Sequence, residues 1–107
     1  MRLLAIGDVT AGGLAYLKRR LPRLKEEKHI DFCVVNGENA SLVGMTPQQA
    51  EEILNAGADV ITMGNHTWNR RELVPYIETS REVLRPANLP PQQPGRGWGV
   101  FETPFGD

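Results

Sequence analysis

Cysteine is almost missing: Cys33 stands alone, inside the apolar run Phe32-Cys33-Val34-Val35. A disulfide framework needs pairs, so none is expected, and a reducing, cytoplasmic setting fits. Its neighbours mark it as a small buried hydrophobe rather than a reactive thiol. Histidine is scarce as well, with only His29 and His66 in 107 residues. No apolar run approaches the roughly 18 residues that cross a bilayer, which argues against a membrane protein. The opening stretch MRLLAIGD turns polar too soon for a signal peptide. Charge of one sign is lacking too. Twelve Lys plus Arg against thirteen Asp plus Glu leave a net charge of -1. That balance speaks against stable nucleic-acid binding and against an anionic membrane surface. Beyond a recurring strand-end pattern there is no internal repeat, and there is no low-complexity tract. What remains is 40% hydrophobic and 23% charged residues, enough to build a core in a globular domain.

Three short apolar runs recur, and each ends in glycine followed by a polar side chain. Leu3-Leu4-Ala5-Ile6 leads to Gly7-Asp8. Phe32-Cys33-Val34-Val35 leads to Asn36-Gly37-Glu38-Asn39. Val60-Ile61-Thr62-Met63 leads to Gly64-Asn65-His66. Continuous, partly β-branched runs of this length suit strands covered on both faces, as in a parallel sheet.

Helices are expected between them. Leu14, Leu17, Leu21 and Leu24 form one apolar stripe, interrupted by Pro22, which should kink the helix or start a fresh turn. Thr46, Pro47 and Gln49 spell a capping box with proline at the first helical position, and Gly57 ends that helix. A third helix is expected from about Arg70 to Ile77. Val83-Leu84-Arg85 reads as a fourth short strand and Trp98 to Phe101 as another, with Gly106-Asp107 as a hairpin turn. Alternating strands and helices predict an α/β fold with a parallel sheet and right-handed crossovers. Residues 1–107 are expected to form one small domain, incomplete at its C-terminus because the hairpin turn lacks its second strand. The open strand edge makes homo-oligomerisation an expectation.

In such sheets ligands bind at the carboxyl ends of the strands. Asp8, Glu38, Asn39 and Asn65 converge there, with His66 beside them. Two carboxylates, two amides and an imidazole suit a hard or borderline cation such as Mn²⁺ or Fe²⁺, and the absence of thiols argues against structural zinc. Each feature also has a plain structural reading. Gly-Asp is a common turn, Gly-Glu-Asn can be a loop with an Asx-type bond, and Asn65 can cap the third helix. Trp68 is read mainly as packing, Arg85 as a phosphate contact or a surface ion pair, and Lys18, Arg19, Arg20 and Lys25 as a solvated helix face.

The motifs GDV (7–9), NGENA (36–40), GADVITMGNHTW (57–68) and RPAN (85–88) resemble one branch of the calcineurin-like metallophosphoesterases. That branch is the YmdB-like family of bacterial 2′,3′-cyclic-nucleotide 2′-phosphodiesterases. The resemblance covers nearly the whole chain. It implies the N-terminal portion of a metallophosphoesterase-type α/β sandwich. It also implies two divalent or trivalent cations, iron and/or manganese, and a cyclic-nucleotide phosphodiester as substrate, 2′,3′-cyclic and also 3′,5′-cyclic. By the same resemblance Asp8 binds one metal, Glu38 bridges both, Asn39 lies at the centre, Asn65 binds the second, and His66 is the proton donor. Two bridged cations lower the pKa of a shared water, whose hydroxide attacks phosphorus in line while an imidazolium protonates the leaving ribose oxygen.

Several positions depart from the family pattern. Asn69 stands where the family has Asp, so a carboxylate that orients His66 or a ligand is missing. Residues Thr10 to Gly13 differ beside Asp8. The family's later histidine ligands have no counterpart, since His29 falls in a charged loop. These departures favour an alternative: a non-catalytic metal- or phosphate-binding regulatory module.

Overall fold

Short apolar runs separated by amphipathic segments fold into a four-stranded sheet backed by three helices. The structure is a computed structural model and describes residues 1–106. Its elements are β1 (Leu3–Ile6), α1 (Ala11–Glu27), β2 (Phe32–Asn36), α2 (Pro47–Ala56), β3 (Val60–Thr62), α3 (Leu73–Thr79) and β4 (Val83–Leu84). The strands lie in the order β1-β2-β3-β4, all parallel. Sequential order with parallel pairing means that every connection is a helical crossover, as the alternating pattern requires.

Register explains which face is the core. Ile6, Val35, Ile61 and Val83 are successive partners across the sheet, with Leu4 beside Cys33. Cys33, Val35, Ile61 and Val83 are fully buried, in one cluster with Leu14, Leu17 and Leu21 of α1, Ile53 of α2, and Leu73 and Ile77 of α3. Each such aliphatic side chain contributes roughly 1.5–3 kcal/mol by leaving water. The opposite face is covered unevenly. Val60 is buried there, but Leu3 is 60% exposed, and Phe32 meets Phe101 with ring centroids 6.0 Å apart. Burial also raises the Cys33 thiol pKa, which keeps it protonated and inert.

Helix punctuation follows local chemistry. Thr46 accepts a hydrogen bond from the Gln49 amide, and the Gln49 side chain accepts one from the Thr46 amide. Pro47 sits in the first turn and Gly57, at φ 130°, ends the helix. In α1, Pro22 lies inside one helix spanning Ala11–Glu27 rather than starting a new one. The hydrogen bond it cannot donate would go to the Lys18 carbonyl, on the exposed side where water substitutes.

Three expectations are corrected. The third helix starts at Leu73, not near Arg70, because turns occupy residues 65–68 and 71–72, with the Thr67 amide bonded to the Gly64 carbonyl at 3.1 Å. Asn65 therefore does not cap it; Glu72 holds that position with no side-chain cap bond. Arg85 lies just past β4, and Trp98 to Phe101 is not a strand. Pairing with β4 occurs instead at Arg96, which bridges Leu84, while the Arg81 guanidinium donates to the Val100 carbonyl at 3.3 Å. A tight turn with an antiparallel bridge from Thr103 to Gly106 closes the described chain; the Asp107 half of the expected turn lies outside the described residues.

Candidate metal centre

Backbone bonds beyond the strand ends bring three loops into line. Val9 donates to Asn36, Gly37 to Thr62 and Met63 to Leu84, each at 3.0 Å. The ladder thus continues one step past the strands, and the residues that follow, Asp8, Glu38-Asn39 and Asn65-His66, emerge at one edge.

Asp8 has a left-handed backbone, φ 42°, which a short polar side chain tolerates better than most. Its exposed carboxylate is held from the neighbouring loop: Asn39 Nδ2 donates to Asp8 Oδ1 at 2.7 Å. Across the edge, Glu38 rests its carboxylate directly over Gly64. A Cβ built on Gly64 would lie 2.3 Å from both carboxylate oxygens, so the seat exists only because residue 64 has no side chain. The His66 amide reaches Glu38 Oε2 at 3.4 Å, from the donor side of the turn that carries the imidazole.

His66 is placed by two amides. Asn65 Nδ2 lies 3.5 Å from its Nε2, and Asn69 Oδ1 lies 3.3 Å from its Nδ1. An amide oxygen can only accept, so Asn69 favours the imidazole form with hydrogen on Nδ1. The expected loss of an orienting group at position 69 is therefore filled by a neutral acceptor. Both asparagines of the site, Asn39 and Asn65, engage their NH₂ groups within it. Their carbonyl oxygens remain the atoms available to a cation.

The five residues form two bonded groups, Asp8 with Asn39 and Glu38 with His66 and Asn65, and no hydrogen bond joins the groups. Among the described residues no three His, Cys, Asp or Glu side chains are close enough together to hold a metal ion. The donor set still fits a hard cation, because the acidic oxygens are complemented by amide oxygens rather than by thiols or further imidazoles.

Other singled-out residues fall elsewhere. His29 is exposed in the α1–β2 loop at φ 54°. Trp68 packs on the core and donates to Gln93 Oε1 at 2.9 Å. Lys25 is not simply solvated: it bonds the Gly57 carbonyl at 2.7 Å and lies 3.6 Å from Asp59, pinning α1 to the end of α2. Arg85 is neither a surface residue nor an ion pair. It is 7% exposed and donates to the carbonyls of Pro94, Pro86 and Leu89 at 3.1, 3.2 and 3.5 Å. Among the described residues no helix is long and apolar enough to cross a membrane.

Comparison with known proteins gives this geometry a setting. A protein of Bacillus subtilis (strain 168) named 2′,3′-cyclic-nucleotide 2′-phosphodiesterase is 41% identical over 99 residues, which is 91% of this chain and 38% of that protein. A crystal structure of a hypothetical protein from Thermus thermophilus superposes with a TM-score of 0.85 at 36% identity, covering 94% of this chain and 40% of that one. The crystal structure of a phosphatase from Mycoplasma pneumoniae gives 0.83 at 30% identity, with coverages of 94% and 38%. The chain thus spans about two fifths of the length of these relatives, and its sheet is the parallel portion of a metallophosphoesterase-type fold. The family described as YmdB-like protein matches residues 4–106, and this chain belongs to it.

Proposed function

We propose that the chain supplies Asp8, Glu38, Asn39, Asn65 and His66 to the metal centre of a phosphodiesterase that hydrolyses 2′,3′-cyclic nucleotides. Activity on 3′,5′-cyclic nucleotides belongs to the same proposal. The observation that carries it is the Glu38 carboxylate seated on Gly64 between the Asp8–Asn39 pair and His66. The likeness to a relative named as such a phosphodiesterase supports the choice of substrate.

Asp8 and Glu38 would hold two cations, iron or manganese, with the Asn39 and Asn65 carbonyl oxygens completing their share of the ligands. Bound cations supply Lewis acidity, which offsets phosphoryl charge and makes water nucleophilic. The remaining work falls to this chain's own side chains. Asn39 keeps Asp8 turned toward the site. His66 keeps its Nδ1–H on Asn69, so Nε2 is the ring's lone-pair atom; protonated from solvent, the imidazolium delivers that Nε2 proton to the departing ribose 2′-oxygen. Opening the 2′ bond leaves a 3′-monophosphate.

The test is hydrolysis of 2′,3′-cyclic AMP in Mn²⁺, with bound metal counted in the same sample. Two bound cations and formation of 3′-AMP, abolished by His66→Ala with metal retained, are expected. Turnover that survives loss of Asp8 or Glu38 would refute the assignment. Metal binding without any turnover would favour the regulatory-module reading instead.

A further inference from the structure

Beyond β4, away from the candidate metal centre, a recess of about 640 Å³ is lined by Arg81, Arg85, Arg96 and Trp98, with Pro91 and Val100 on its apolar wall. No acidic residue lines it among the described residues. It shares no lining residue with the Asp8–His66 cluster. Its volume is that of an ordinary small-molecule site.

Arg85 is the unusual member. Guanidinium stays ionised in proteins, and a buried charge normally sits beside a counter-charge. Arg85 is 7% exposed, yet it meets only main-chain carbonyls through Nε and Nη1, and none of the ion pairs among the described residues includes it. Its Nη2 has no hydrogen-bond partner among the described residues. Among the described residues no side-chain nitrogen that is wholly sealed from solvent lacks a partner, so Nη2 is open to solvent on a residue that lines the recess. The three carbonyls fix the guanidinium plane and leave one donor edge free.

Its neighbours add charge of the same sign. The Arg85 amide bonds the Arg96 carbonyl at 2.9 Å, which sets Arg96 alongside the end of β4. The Arg96 side chain makes no hydrogen bond or ion pair among the described residues. Arg81 stands two residues before β4, tied to Val100; it also lines a separate cleft that contains Asp59, Glu82 and Glu102, so it is the most compensated of the three. Like charges gathered in one recess with no acid to neutralise them are stabilised by an anion, and guanidinium groups match phosphate in geometry as well as charge. Trp98, 74% exposed, offers an indole face two residues from Arg96. A flat base can stack on such a face.

We propose that this recess binds a nucleoside monophosphate, with the phosphate on Arg85 and Arg96 and the base on Trp98, as a site separate from the metal centre. The test is a titration of the intact chain with 5′-AMP in EDTA, followed by NMR of the tryptophan indole and arginine Nε–H signals. EDTA keeps cations off the Asp8–Glu38 edge, so failure here and failure of the phosphodiesterase reading are distinguishable. Saturable shifts on Trp98 and Arg96, and none on Trp68, are expected. Arg96→Gln and Trp98→Leu alter exposed residues and should each weaken AMP about tenfold, the size of one charged hydrogen bond or one stacked base. Inorganic phosphate and adenosine, each carrying half the ligand, should both bind more weakly than AMP. Absence of saturable shifts, unchanged affinity in Arg96→Gln, or a half-ligand that binds as tightly as AMP would overturn the proposal.

Discussion

The two ends of this sheet's carboxyl margin are built by the same device and carry opposite chemistry. At the β1–β3 end, backbone bonds past the strands align Asp8, Glu38, Asn39, Asn65 and His66, and the side-chain NH₂ groups are spent inside the cluster, leaving oxygens outward. Beyond β4, a proline-rich loop turns its carbonyls inward onto Arg85 and leaves guanidinium edges outward. A net charge of -1 conceals this separation. The lesson is that outward polarity here is set by what the backbone and neighbouring amides consume, not by the composition of either loop. The two proposals follow that division, a cation site at one end and an anion site at the other.

The sharpest way to break the contrast is Gly64→Ala. The added Cβ would lie 2.3 Å from both Glu38 oxygens, so the carboxylate must leave its seat. Loss of Mn²⁺ affinity by about a hundredfold is expected, the upper range for disturbed ligand orientation. AMP binding beyond β4 should be untouched. Calorimetric titration with each ligand checks both halves. Wild-type Mn²⁺ affinity in the variant would mean that Glu38 is not a ligand.

At the other end the corresponding change is Arg85→Leu. Its guanidinium satisfies carbonyls at positions 86, 89 and 94, and those acceptors would be stranded near a buried side chain. Hydrogen bonds from a charged donor are worth about 1.5–3 kcal/mol each, partly offset by no longer burying the charge. A net loss of roughly 2–3 kcal/mol in urea unfolding is expected. Arg85→Lys should recover little of it, because one ammonium cannot span three carbonyls in a plane. An unchanged unfolding midpoint would show that the loop holds itself.

How much of this was legible differs between the two ends for a physical reason. Strands ending in Gly-Asp, Gly-Glu-Asn and Gly-Asn-His announce themselves because each signal is local, and the parallel register then brings them to one edge. The capping box of Thr46, Pro47 and Gln49 is local too, and it forms as written. The start of α3 is misread from the sequence because Arg71 and Glu72 are taken up in a turn, closed by the Leu73 amide on the Arg70 carbonyl at 3.1 Å. Trp98 to Phe101 alternates like a strand, but Arg96 takes the pairing and Arg81 takes a carbonyl. Arg85 could not be read at all. Its partners come from a loop without periodic pattern, and no sequence signal marks an arginine that will be buried against carbonyls.

A smaller change tests whether the imidazole at the acidic end depends on a neutral acceptor. Asn69 Oδ1 lies 3.3 Å from His66 Nδ1, and Asn69 is itself exposed, so its replacement should leave the fold intact. Asn69→Leu removes the acceptor and frees the ring to rotate or to place its hydrogen on Nε2. Turnover of 2′,3′-cyclic AMP should fall about tenfold, the lower range for loss of an orienting partner. Mn²⁺ stoichiometry should stay the same, because neither Asp8 nor Glu38 is hydrogen-bonded to Asn69. Ring-nitrogen chemical shifts supply the readout that a mere packing role would not move: hydrogen on Nδ1 in the wild type, a mixture in Asn69→Leu, and recovery of the Nδ1 form in Asn69→Asp. A wild-type ring in the leucine variant would show that the acceptor is not what sets the tautomer, and that Asn65 alone orients His66.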